Sequence, residues 1–180
     1  AALGATSLSG YALGVEPMRT TIKRYAINPA RWPVGLRLSI AAIADIHAGE
    51  PYMSAERIAR ICAETNALGA DMIVLLGDYT AGHRFVSKLV PADAWAEAFS
   101  TLKAPLGVHA VLGNHDWWDD LSAQRTGKGP TEARRALERR GIPVYENDAV
   151  QLTQDGQSFW LAGLGDQLAL RVTRPGGRRG

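Results

Sequence analysis

The chain has 180 residues, 46% of them apolar and 21% charged, which suits one soluble α/β domain with its own core and leaves little room for a second. The formal net charge of +2 gives no electrostatic basis for nucleic acid as a partner. The single cysteine, Cys62, rules out an intrachain disulfide; beside Ile58 and Ile61 in a helical pattern, it is expected to be a core residue.

Residues 1–15 carry no charge and mix Leu3, Leu8, Tyr11, Leu13 and Val15 with small residues. The stretch is too short and too rich in Gly and Ser to cross a bilayer alone, and residues 1–16 are expected to be an apolar leader or anchor remnant. Residues 17–170 are expected to form the main domain. Within it, Arg19–Ile27 reads as a short edge strand, and Asn28–Gly35, with Pro29 and Pro33, as a loop. Leu36–Ile43 is an apolar run that predicts a buried strand. Ser54 predicts the N-cap of a helix running to about Leu68, stopped by Gly69. Met72–Leu76 predicts a second strand, Ala92–Leu102 a helix, and Val108–Leu112 a third strand in which His109 faces the packing layer. The Gly-rich stretch before Thr131, with Arg125 and Lys128, reads as a solvated loop. Thr131 predicts the cap of another helix ending near Arg140. Ile142–Tyr145 predicts a fourth strand, and Val150–Thr153 with Phe159–Leu164 a hairpin turning at Asp155-Gly156. Residues 171–180, with Arg171, Arg174, Arg178 and Arg179 among glycines, are expected to be a basic flexible tail. The alternation of strands and helices predicts an α/β layered fold with a largely parallel sheet flanked by helices.

The chemistry-bearing residues follow the first three strands. They are Asp45-Ile46-His47, then Gly77-Asp78, then Gly113-Asn114-His115-Asp116. If the strands are parallel neighbours, these groups converge at one sheet edge, the usual ligand edge of open α/β sheets. Asp45 and His47 are two apart, so an extended backbone puts them on one face. A carboxylate, an imidazole, a second carboxylate and an amide make a mixed O/N donor set. Such a set suits Mn²⁺, Fe²⁺ or Zn²⁺ better than Ca²⁺. Gly77 and Gly113 permit close backbone approach there.

These three blocks resemble the signature blocks of calcineurin-like metallophosphoesterases over about residues 36–166. The resemblance implies a dinuclear site in which Asp45 and His47 bind the first ion, Asp78 bridges both and Asn114 binds the second. It implies that His115 is catalytic, as general acid or as a cationic stabiliser, and that Asp116, not a ligand, orients the loop or the surroundings of His115. It further implies in-line attack on phosphorus by a metal-bound hydroxide, with the two ions about 3.5–4 Å apart. Members of the family carry further histidine ligands downstream. Here the histidines are His47, His83, His109 and His115 only, so the fold and ligand set are expected to be C-terminally incomplete and the second metal site weak. A fragment of a longer enzyme, a partner chain supplying histidines, and a non-catalytic metal-binding or scaffold protein all account for this.

The layout is also similar to bacterial membrane-associated members, some of which cleave the pyrophosphate of UDP-diacylglucosamine. That resemblance implies a phosphorylated small-molecule or lipid-linked substrate and membrane association. The basic residues after the leader favour the cytoplasmic face, with an exported domain as the alternative. Trp117 and Trp118 are candidates for a pocket wall, and His83, Arg125 and Lys128 for phosphate contacts.

Overall fold

The computed structural model describes residues 11–82 and 86–170. The chain divides into two units, Ala1–Val34 and Gly35–Gly180. In the first, Tyr11–Val15 forms one π-helical turn and Glu16–Met18 a 3₁₀ turn. The Arg19 guanidinium donates to the Tyr11 hydroxyl (2.8 Å) and faces Glu16 at 3.6 Å. The strand expected at Arg19–Ile27 does not form. Its residues are exposed and none of them enters a described strand pairing, and without a ladder a β-rich sequence has nothing to hold it as a strand.

In the second unit, β1 (Ile40–Ile43), β3 (Met72–Leu75) and β5 (Val108–Ala110) form a parallel sheet in the order β1-β3-β5. Its register aligns Ile40 with Met72 and Ile73 with Val108. Each strand is shorter than the apolar run that predicts it. At the start of β1, Asp71 accepts from both the backbone N–H and the hydroxyl of Ser39 (2.7 and 2.6 Å), so the ladder begins only there. Two minor strands, β2 (Gly49–Glu50) and β4 (Lys88–Leu89), pair antiparallel. β6 (Asp148–Gln154) and β7 (Gln157–Gly163) form the expected hairpin, with Asp155 and Gly156 at positive φ in its turn. The fourth parallel strand reduces to one bridge, Ala110 with Val144. Ala110 N–H bonds to Pro143 O, and Tyr145 N–H returns to Ala110 O; Pro143 has no N–H with which to extend the ladder.

Helix α1 (Ala55–Ala67) starts where Ser54 accepts from Arg57 N–H at 3.2 Å. Helix α2 (Ala92–Phe99) packs on α1. Between β5 and the later helix lie two short helices absent from the sequence reading, α3 (Asn114–Trp118) and α4 (Leu121–Thr126). Asp120 caps α4, accepting from Ser122 and Ala123 N–H at 3.0 and 2.9 Å. Helix α5 (Glu132–Arg139) is capped by the fully buried Thr131 and packs on α2. Ile58, Cys62, Ile73, Leu75, Phe99 and Leu137 meet in the core. Burial raises the Cys62 thiol to a pKa of about 11, consistent with a core role. His109 is also structural: it is buried, with Nε2 at 2.8 Å from Leu106 O and Nδ1 at 3.2 Å from the Tyr145 hydroxyl. Among the described residues no helix is long and apolar enough to cross a membrane.

Candidate metal centre

Parallel order puts the C-terminal ends of β1, β3 and β5 side by side, and hydrogen bonds carry the alignment past the strand ends. Asp45 N–H bonds to Gly77 O (3.2 Å), His47 N–H to Asp78 O (2.9 Å) and Ala48 N–H to Tyr79 O (2.7 Å). The loop after β3 thus fixes the loop after β1. Asp45, His47 and Asp78 adopt φ of 52°, 43° and 56°. Left-handed backbone is unfavourable for a side-chain-bearing residue and persists only where surroundings impose it, commonly at functional sites.

The bent loops aim three donors at one point. One ligand atom each from Asp45, His47 and Asp78 all lie within 4.8 Å of one another. His47 Nε2 is 3.9 Å from Asp45 Oδ1 and 3.9 Å from Asp78 Oδ2. The other His47 nitrogen, Nδ1, is 3.1 Å from Thr80 O. In the tautomer that donates Nδ1–H to that carbonyl, Nε2 turns its lone pair toward the carboxylates, the orienting bond typical of metal-binding imidazoles. Around an ion bound at about 2.1 Å, neighbouring ligand atoms stand roughly 3.0–3.4 Å apart. The observed separations need only small side-chain adjustments to reach that, so the donor set fits a divalent ion.

Asp116 holds the centre together from beneath. It is 2% exposed. Its Oδ2 accepts from Asp78 N–H (2.8 Å) and Gly113 N–H (2.9 Å), and its Oδ1 from Tyr79 N–H (2.9 Å) and Thr80 N–H (3.3 Å). Burial raises its pKa to about 6, while the four N–H groups pull the other way. One carboxylate therefore ties the loop after β3 to the loop after β5, which is what orienting the loop means in this molecule. Below it, Tyr79 stacks on Trp95 (5.2 Å) and meets Phe99 edge-on (5.7 Å). Its hydroxyl lies 2.8 Å from Val111 O and 3.1 Å from Leu75 O.

The two glycines are required by space. A Cβ on Gly77, at φ 91°, would lie 2.7 Å from the Leu112 carbonyl carbon, and one on Gly113 would lie 2.8 Å from Asp78 N. The two loops touch backbone to backbone.

Asn114 and His115 open α3. Asp78 Oδ1 accepts from His115 N–H at 2.9 Å, which places Asn114 in the turn between that bond and Gly113. The His115 ring packs edge-on against His47 with centroids 5.0 Å apart, and against Trp118 at 5.3 Å. Its Nδ1 is 3.4 Å from Asp119 Oδ2. Sequence reasoning missed Asp119. The signal was available, because on a helix residues i, i+3 and i+4 share a face and bring Trp118 and Asp119 to His115. Trp117, by contrast, packs on the core and donates to Glu146 Oε1 at 3.0 Å. Trp118 donates to Leu168 O at 2.7 Å. Arg125 and Lys128 are exposed, and His83 lies outside the described residues.

A parallel α/β sheet with two carboxylates and an imidazole converging at its C-terminal edge defines a candidate site for a divalent ion. The family model for calcineurin-like phosphoesterases matches residues 38–168, and the chain belongs to that family. The chain is 37% identical over 139 residues to F40B5.2, a protein of Caenorhabditis elegans named for the same family (77% of this chain, 26% of that one). It is 30% identical over 113 residues to the UDP-2,3-diacylglucosamine pyrophosphatase LpxG of Chlamydia muridarum (61% of this chain, 33% of that one). It is 37% identical over 84 residues to a transmembrane protein with a metallophosphoesterase domain of Danio rerio (47% of this chain, 17% of that one). The chain therefore spans a third or less of the length of these three relatives. No solved structure gives a significant match.

Proposed function

We propose that this chain carries the metal-binding centre of a dinuclear hydrolase of phosphoric esters or anhydrides. Asp45 and His47 hold one ion, Asp78 is shared and Asn114 serves the second. The observation that carries the reading is the convergence of Asp45, His47 and Asp78 within 4.8 Å, imposed by left-handed backbone at all three. Bound divalent ions supply Lewis acidity toward a phosphoryl oxygen and toward water. His115 is the proton donor to the leaving oxygen, or a cation facing the charge that develops on it. Its ring is braced by His47 and Trp118, and its Nδ1 faces Asp119.

A phosphorylated small molecule or a lipid-linked diphosphate is the proposed substrate class. The name of LpxG supports it, and the transmembrane relative supports action near a membrane. Exposed Arg19, Lys23 and Arg24 in the first unit fit a negatively charged lipid surface.

Metal content after equilibration with Mn²⁺ or Zn²⁺ and gel filtration tests the centre. Asp78→Asn should lower affinity at least about tenfold, and His115→Asn should retain metal while lowering hydrolysis of bis-p-nitrophenyl phosphate about 10²–10⁴-fold. Metal uptake unchanged in Asp78→Asn would refute the site. Metal uptake without hydrolysis would favour the non-catalytic reading.

A further inference from the structure

A cavity of about 170 Å³ has His47, one of the three converging donors, in its lining. Ile46, Gly49, Glu50, Tyr52, Met53 and Val86 complete the lining. Its shape is held by the backbone. Gly49 and Met53 exchange N–H···O bonds of 3.0 and 2.8 Å, and Ser87 N–H bonds to Glu50 O at 2.9 Å. The absent side chain of Gly49 is what admits Val86, since a Cβ there would lie 2.8 Å from a Val86 methyl.

We propose that this cavity is an apolar subsite. It receives the organic substituent of a phosphate ester, a phenyl-sized ring or short alkyl group, while the phosphate stays with Asp45, His47 and Asp78. The inference rests on the metal-centre reading above and adds the class of substituent that the site selects. Three features carry it. The volume, about 170 Å³ in a cleft open to solvent, is large enough for a ring, since about 150 Å³ suffices for benzene in a closed aliphatic cavity. Ile46, Val86, Met53 and the Tyr52 ring give the lining an apolar part, the chemistry that takes up apolar groups, beside the polar His47 and Glu50. The one carboxylate in the lining is that of Glu50, which repels a second phosphate and leaves the neutral end of the substrate as the occupant.

The test compares phenylphosphonate with methylphosphonate on the zinc-loaded chain, by calorimetry and by the methyl resonances of Ile46, Met53 and Val86. Phenylphosphonate should bind about tenfold or more tightly than methylphosphonate and shift those methyls, while methylphosphonate leaves them in place. Val86→Phe should bring the two affinities together. Met53→Ala, which enlarges the cavity, should extend the preference to naphthylphosphonate and serves if Val86→Phe does not fold. Equal affinities, or no methyl shift, with zinc bound would overturn the subsite and leave the metal centre standing. Failure to take up zinc would overturn both.

Discussion

Replacing Asp116 by alanine is the most demanding probe of how the centre is held. The carboxylate takes four backbone N–H groups, three of them at 2.8–2.9 Å. An unsatisfied buried donor costs about 1–3 kcal/mol. Tyr79 N–H is deeply buried and loses its partner outright. Asp78, Thr80 and Gly113 are half-buried, so water recovers part of what they lose. The sum is about 3–5 kcal/mol, a fifth or more of the roughly 5–15 kcal/mol that holds a typical domain. Asp116→Asn should fall between, at about 2–3 kcal/mol, because its amide keeps one acceptor oxygen and turns its NH₂ toward two N–H donors. Urea denaturation followed by far-ultraviolet circular dichroism measures both. Metal retention should fall with stability, since the Asp78 loop is released. If Asp116→Ala unfolds within about 1 kcal/mol of the parent and keeps its metal, the loops are held by something other than this carboxylate.

The glycines separate backbone strain from collision. Gly77→Ala combines φ 91° with a clash against the Leu112–Gly113 backbone and should cost more than about 3 kcal/mol, whereas Gly156→Ala, at φ 75° with nothing within 4 Å, should cost only about 1–2 kcal/mol; thermal melts of the pair decide. Cys62, fully buried with its pKa raised to about 11 by burial, should resist a thiol reagent at pH 8 until urea is added. By linkage, the unfolded thiol ionises first, so its contribution to stability is intact below the unfolded pKa of about 9 and declines as pH rises toward 11. Tyr79→Phe removes the hydroxyl that meets Leu75 O and Val111 O and should cost about 1–2 kcal/mol in urea denaturation without changing metal content, because the ring stack with Trp95 remains.

The amino-acid sequence by itself determined what short-range rules encode. Ser54 and Thr131 announce helix starts because a side-chain oxygen three residues upstream satisfies a free N–H, and both do so here. The apolar runs announce β1, β3 and β5. The metal-capable residue types stand immediately beyond them, so candidate metal donors could be named from the sequence. Tertiary structure decided what depends on partners far along the chain. It set the strand order β1-β3-β5, left Arg19–Ile27 unpaired and cut Ile142–Tyr145 to a single bridge. It alone bent Asp45, His47 and Asp78 into left-handed backbone, placed Asp116 beneath a loop 36–38 residues away and set Asp119 against His115. The physical reason is range: caps and apolar periodicity act within a turn or two of chain, whereas a carboxylate finds distant N–H groups only after the sheet has brought its strand ends together.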